Sequence, residues 1–146
     1  MPSRRRNTVP SLRGICAAAA FVASAHGGAS LLVVANPDTP PLDADTLQKV
    51  YLGKVVEVDG RPVTPVNLAK GSKLRQAFME QYMTEDDEKF VAYWTVRRYI
   101  GKGTPPREFA TVEQQLQFLR STPGAIGYVD DSTDLHGGLR PILRKP

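Results

Sequence analysis

Apolar residues fall along the chain either in runs short enough for strands or in stripes spaced like helix faces. Leu31-Leu32-Val33-Val34-Ala35 is continuous, not alternating, and stops at Asn36-Pro37-Asp38. That predicts a central strand covered on both faces. After Pro40-Pro41, Asp45 stands three residues before Gln48 as in a capping box. Leu47, Val50 and Tyr51 then share a helical face, and Gly53 is placed to end that helix in a left-handed cap. Val55 to Val58 and Val63 to Val66 flank Asp59-Gly60, a hairpin signal. Pro62 and Pro65 relegate these two pieces to edge strands or an ordered loop.

Ser72 is placed to cap a helix reaching about Met83, with Leu74, Ala77, Phe78 and Tyr82 turned inward. Thr84 is the expected cap of a further helix to about Tyr99. Acids fill its first turn, Arg97 and Arg98 close its last, and Phe90 and Trp94 form its buried face with Val91 beside them. A breaker-rich loop, Gly101 to Pro106, follows. Thr111 with Gln114 repeats the capping pattern before Leu116 and Leu119, and the helix runs to about Arg120. Ala125 to Val129 reads as a strand. Leu139 to Leu143 is a last strand interrupted by Pro141. This order predicts an α/β domain with helices covering a small sheet.

Composition changes the picture mainly at the N-terminus. Arg4, Arg5, Arg6 and Arg13 precede the Ala-rich stretch Ile15 to Ala25, which ends Ala23-Ser24-Ala25. Basic lead, apolar middle and small residues at the end make residues 1–25 a signal peptide, with a single domain over 26–146 and export to the periplasm. The apolar run has about half the length needed to span a bilayer, so no membrane insertion is expected after cleavage. Cys16, the one cysteine among 146 residues, lies inside the leader, and Arg13 just before it argues against lipidation. The exported part therefore has no disulfide, thiolate nucleophile or Cys-based zinc site. The net charge is +4, yet four of the nineteen Lys and Arg sit in the leader and all fifteen Asp and Glu lie downstream. The exported domain is near neutral, which excludes a polybasic nucleic-acid binder.

Candidate chemistry is sparse. His26 and His136 lack ligand partners at useful spacing, and nothing requires Ser132, His136 and Asp130 to form a triad. Asp130, Asp131 and Asp134 do not follow a calcium-loop pattern, and residues 101–106 are not a P-loop. The stretch Ala69-Lys70-Gly71-Ser72-Lys73 is more informative. It joins a glycine, a hydroxyl and two lysines at a predicted helix start, where free N–H groups can hold an oxyanion or simply be capped by Ser72. The aromatic set Phe78, Tyr82, Phe90, Trp94 and Phe118 reads as core. Arg75 and Arg107 are each candidates to pair with a carboxylate across helices.

Several of these strings together resemble the phosphate-binding components of bacterial ABC importers. LDADTLQKVYLGKV is similar to the family's helix ending I-F-L-G-K. VDGRPVTPVNLAKGSKLRQAFMEQYM is similar to its G-x-x-I-x-P-V stretch followed by a helix bearing R-x-x-F, here Arg75 to Phe78. Trp94, GKGTPP and TPGAIGYVD continue in family order. The resemblance implies a type 2 periplasmic-binding-protein-like fold, reduced to a single lobe with a small mixed sheet covered by helices. It implies binding, not catalysis, without a cofactor. Where the family reads Arg-x-Asp-x-Ser-Gly-Thr, this chain has Asn67 to Lys73, keeping Gly71-Ser72 but not the Arg or the Asp. Asn67, Gly71, Ser72 and Lys73 are thus the implied contacts for phosphate or another small oxyanion, bound weakly. The alternative is an interaction or assembly component that kept the scaffold and meets an envelope protein or a second copy of itself.

Overall fold

The computed structural model describes residues 30–145, so the signal peptide and its expected cut after Ala25 lie outside the described residues. The strands are β1 (Leu31–Ala35), β2 (Glu57–Val58), β3 (Arg61–Pro62), β4 (Thr64–Leu68), β5 (Arg107–Phe109), β6 (Ala125–Asp130) and β7 (Arg140–Arg144). The helices are α1 (Ala44–Tyr51), α2 (Lys73–Phe78), α3 (Asp87–Tyr99) and α4 (Val112–Ser121). One mixed sheet has the order β5-β4-β6-β1-β7, and β2 and β3 form a separate hairpin. β4 runs parallel to β5 and β6, whereas β1 is antiparallel to both β6 and β7.

The unbroken apolar run of β1 has the expected cause. Leu31, Val33 and Ala35 join the cluster under α1, α2 and α3, with Leu47, Tyr51, Phe78, Phe90 and Trp94. Leu32 and Val34 face the other way, toward Leu116 and Leu119 of α4. All five β1 residues are buried, and each Leu or Val contributes roughly 1.5–3 kcal/mol by leaving water. The single α/β domain with helices over a small mixed sheet is the architecture found.

Several local expectations shift. Asp43, not Asp45, caps α1 by accepting from the Thr46 N–H at 2.7 Å, while Asp45 pairs with Lys49 one turn on. Ser72 caps α2 as expected, but α2 ends at Phe78 and passes into a π-helical segment, Met79–Met83. Thr84 does not cap α3: it adopts left-handed backbone at φ 56° and is the C-cap of that π-helical segment. Asp86 caps α3 instead, through the Lys89 N–H. Val91 is exposed. The Asp59-Gly60 turn forms, with φ 49° and 73°, between strands of only two residues each. The chain then enters β4, which is internal, not an edge. Pro65 is tolerated there because pairing with β5 starts only at Val66, so its missing N–H deprives no strand of a partner. β5 itself was not anticipated; three residues paired in parallel carry no local periodicity.

β4 and β6 pair only at their first residues, Thr64 with Ala125 and Pro65 with Ile126. Beyond that the strands part, and side chains from both faces fill the seam. Tyr51 of α1 donates to the Val66 carbonyl at 2.7 Å and reaches that of Ile126. The Leu68 N–H donates to the Tyr128 hydroxyl at 3.1 Å, and Arg75 donates to the Leu68 carbonyl at 2.9 Å. From the opposite face Gln115 of α4 donates to the Tyr128 carbonyl at 2.7 Å and accepts from its N–H. Gly127 makes room for this amide, since a Cβ there would stand 2.7 Å from the Gln115 oxygen.

Burial holds the Tyr51 and Tyr128 hydroxyls well above the ordinary phenol range. A raised native pKa leaves stability intact below the unfolded value near 10 and removes it above, because the unfolded chain ionises first. Unfolding free energy is expected to fall above pH 10 by about 1.4 kcal/mol per pH unit for each tyrosine. In Tyr51→Phe that slope should drop by one group's share, read from urea titrations across pH 9–11. The same variant should lose about 1–2 kcal/mol at pH 7 by orphaning the Val66 carbonyl.

Candidate functional site

Topology locates the site before any side chain does. After β4 the chain leaves to the face of α2 and α3; after the adjacent parallel strand β5 it leaves to the opposite face, to α4. Departures to opposite faces mark a candidate site at the carboxyl ends of the two strands, which is where open α/β sheets take ligands. Its lips are the loops Ala69 to Ser72 and Ala110 to Thr111, tied by the Ala69 N–H donating to the Phe109 carbonyl at 2.8 Å.

Three of the four sequence-derived contacts lie on one lip. Gly71 is exposed, with a φ of 90° that favours glycine. Ser72 is half-buried, and its hydroxyl accepts from the Arg75 N–H at 3.4 Å, a long cap bond. Lys73 opens α2 and is exposed, as is Lys70. Asn67 stands apart from them, buried on β4. Its Oδ1 accepts from the Leu68 N–H at 3.0 Å and from the Tyr128 hydroxyl. Its Nδ2, also buried, has no partner among the described residues. A buried donor left so costs on the order of 1–3 kcal/mol.

Beneath this lip is a charge cluster. The Arg75 guanidinium, 1% exposed, meets Asp87 of α3 at 2.7–2.8 Å, Glu108 of β5, and the Leu68 carbonyl. Burial works against its charge, but the hydrogen bonds it donates to Glu108 and Asp87 prevail and hold its pKa above the ordinary value. Arg75 therefore pairs across elements as the sequence suggested, and with two carboxylates. Arg107 does not: its guanidinium stacks over the rings of Phe109 and Phe118 at 5.0 and 5.5 Å. A cavity of about 160 Å³ lies beside the cluster, floored by Phe90 and Trp94 and rimmed by Arg98 and Glu108.

Other sequence candidates stay apart. Asp130 bonds Ser132, and His136 pairs with Asp134 at 3.1 Å, so Ser132, His136 and Asp130 do not assemble as a triad. Among the described residues no group of three or more His, Cys, Asp or Glu could hold a metal ion, and no helix is long and apolar enough to cross a membrane. Sequence reasoning missed Tyr128 and Glu108. A tyrosine inside a buried strand signals that its hydroxyl needs a partner. Glu108 carries no comparable signal.

Removing Arg75 leaves two carboxylates and a strand carbonyl without their donor. Arg75→Met is expected to cost about 3 kcal/mol in urea unfolding. Adding Asp87→Asn and Glu108→Gln should restore more than half of that loss.

No protein-family model matches the chain, and no curated protein matches it. Solved structures do. An ABC-type phosphate transport receptor from Vibrio cholerae superposes with a TM-score of 0.58 at 15% identity, over 77% of this chain and 45% of that one. A structure from Clostridium perfringens, described as a phosphate ABC transporter substrate-binding protein with bound phosphate, gives 0.61 at 16% identity, over 77% and 44%. PstS from Borrelia burgdorferi gives 0.57 at 12% identity, over 77% and 46%. The chain thus spans less than half the length of the structures it matches, and at these identities the likeness is one of fold. Its α/β domain has the architecture of a portion of phosphate-transport binding proteins.

Proposed function

We propose that the chain is an exported, periplasmic binding module built on a single lobe of the substrate-binding-protein scaffold. It holds phosphate or a similar small oxyanion weakly at the carboxyl ends of β4 and β5, on Gly71, Ser72 and Lys73, with Asn67 beneath. The observation that carries the reading is the topology at these strand ends. Opposite-face departures after β4 and β5 meet a lip bearing a left-handed glycine, a hydroxyl and two lysines. Phosphate as the anion is suggested by what the structures of like fold are described as binding. Affinity is weak because the buried guanidinium of Arg75 is already engaged by Asp87 and Glu108.

A second reading, an assembly component that kept the scaffold without a ligand, draws on that same engagement of Arg75 and on apolar residues exposed along α3.

Isothermal titration separates the two. The binding module should take up phosphate or sulfate with a dissociation constant between about 1 μM and 1 mM. Ser72→Ala and Lys73→Ala should each weaken binding about tenfold, the loss expected for one charge-assisted hydrogen bond. Absence of heat with either anion at about 10 mM, with a stable protein partner recovered in pull-downs, would establish the assembly reading.

A further inference from the structure

α3 is a helix with two unlike sides. Its inner side is fully engaged. Phe90 and Trp94 are buried, Trp94 Nε1 donates to the Tyr51 carbonyl at 3.2 Å, Tyr93 donates to that of Leu52 at 2.7 Å, and Arg97 reaches that of Gly53. These side chains occupy the carbonyls at the end of α1. At 100° per residue, the opposite side carries Glu88, Ala92, Thr95, Val96 and Tyr99. Val96 is 60% exposed, Tyr99 92% and the adjoining Ile100 55%. Single exposed apolar residues need no explanation. A stripe over two turns, with small residues beside large ones, has the form of a helix-packing surface.

Charge follows the stripe. Asp87 turns inward to Arg75, and Arg97 lies over the Tyr93 and Trp94 rings. Glu88 remains exposed at the start of the helix, where the neighbouring Lys89 pairs with Asp86, and Arg98 remains exposed near its end with Lys102, whose N–H donates to the Arg97 carbonyl, just past it. The helix dipole accounts for acids first and bases last, but not for the apolar residues between them.

We propose that this face binds a second copy of the chain. Two α3 helices pack antiparallel about a two-fold axis near Thr95 and Val96. Each Tyr99 then crosses the other's Ala92, and each Glu88 lies toward the other's Lys102. The patch is complementary to itself in both respects that matter, small against large and acid against base, as an isologous contact requires. A parallel pair would bring like charges together, so electrostatics selects the antiparallel one. One helix about 20 Å long buries an area at the low end of specific interfaces. The expected dissociation constant is on the order of 10 μM. The inference does not rest on the oxyanion reading.

Sedimentation equilibrium of the purified protein over a hundredfold concentration range tests it. The wild type should pass from monomer to dimer. Glu88→Lys and Lys102→Glu, both on exposed positions, should each weaken the dimer about tenfold or more while circular dichroism stays unchanged. An equimolar mixture of the two variants should recover a heterodimer within about threefold of wild-type affinity, because each then offers the other opposite charge. Tyr99→Glu should abolish association. A wild type that stays monomeric, a dimer indifferent to all three substitutions, or charge variants that fail to rescue each other would each overturn the proposal.

Discussion

The parting of β4 from β6 is the constraint around which the domain is arranged. Two parallel strands that stop pairing after two residues expose backbone groups in the middle of a sheet, where water cannot serve them. Side chains serve these groups instead: Tyr51 of α1, Arg75 of α2 and Gln115 of α4 donate to strand carbonyls, and the Tyr128 hydroxyl of β6 accepts from the Leu68 N–H. Tyr51, Arg75, Gln115 and Tyr128 are among the largest fully buried side chains, though all four are polar or charged. They bind the helical layers to the sheet at fixed heights, something apolar packing alone does less sharply.

This arrangement determines what the candidate site can offer. Arg75 sits under the lip where an anion would be received, yet its guanidinium closes the β4 backbone and is shared between two carboxylates. The cation that lies deepest is therefore structural, and the charges left for a ligand are the solvated Lys70 and Lys73. The aromatic stack of Phe78 on Tyr128, with ring centroids 4.2 Å apart, holds the ring whose hydroxyl donates to Asn67.

What the sequence disclosed follows from how local each signal is. β1 was legible because burial on both faces leaves an uninterrupted apolar run. The helix starting after Ser72 and the turn at Asp59-Gly60 were legible because caps and tight turns are encoded within four residues. The caps at Asp43 and Asp86 were misplaced by two residues, since Asp45 and Thr84 present the same chemistry next door. β5 escaped because its pairing with β4 is set by residues forty positions away. The site was half legible. Gly71, Ser72 and Lys73 could be read as a group, but Asn67 joined them only through the family resemblance, in which it stands at the place of the Arg. The fold instead directs its side chain to Leu68 and Tyr128. Glu108 could not be found, because its role exists only once β5 lies beside α2.

β1 and β7 are neighbours in the sheet, with Leu32 opposite Arg144 and Val33 opposite Leu143. The first and last strands therefore begin and finish side by side on one edge. Topologically the domain is a near-closed loop. Bridging that edge with a short linker and cutting instead in the exposed stretch around Gly101 to Thr104 would reorder the chain while preserving every strand pairing, the condition for a viable circular permutant.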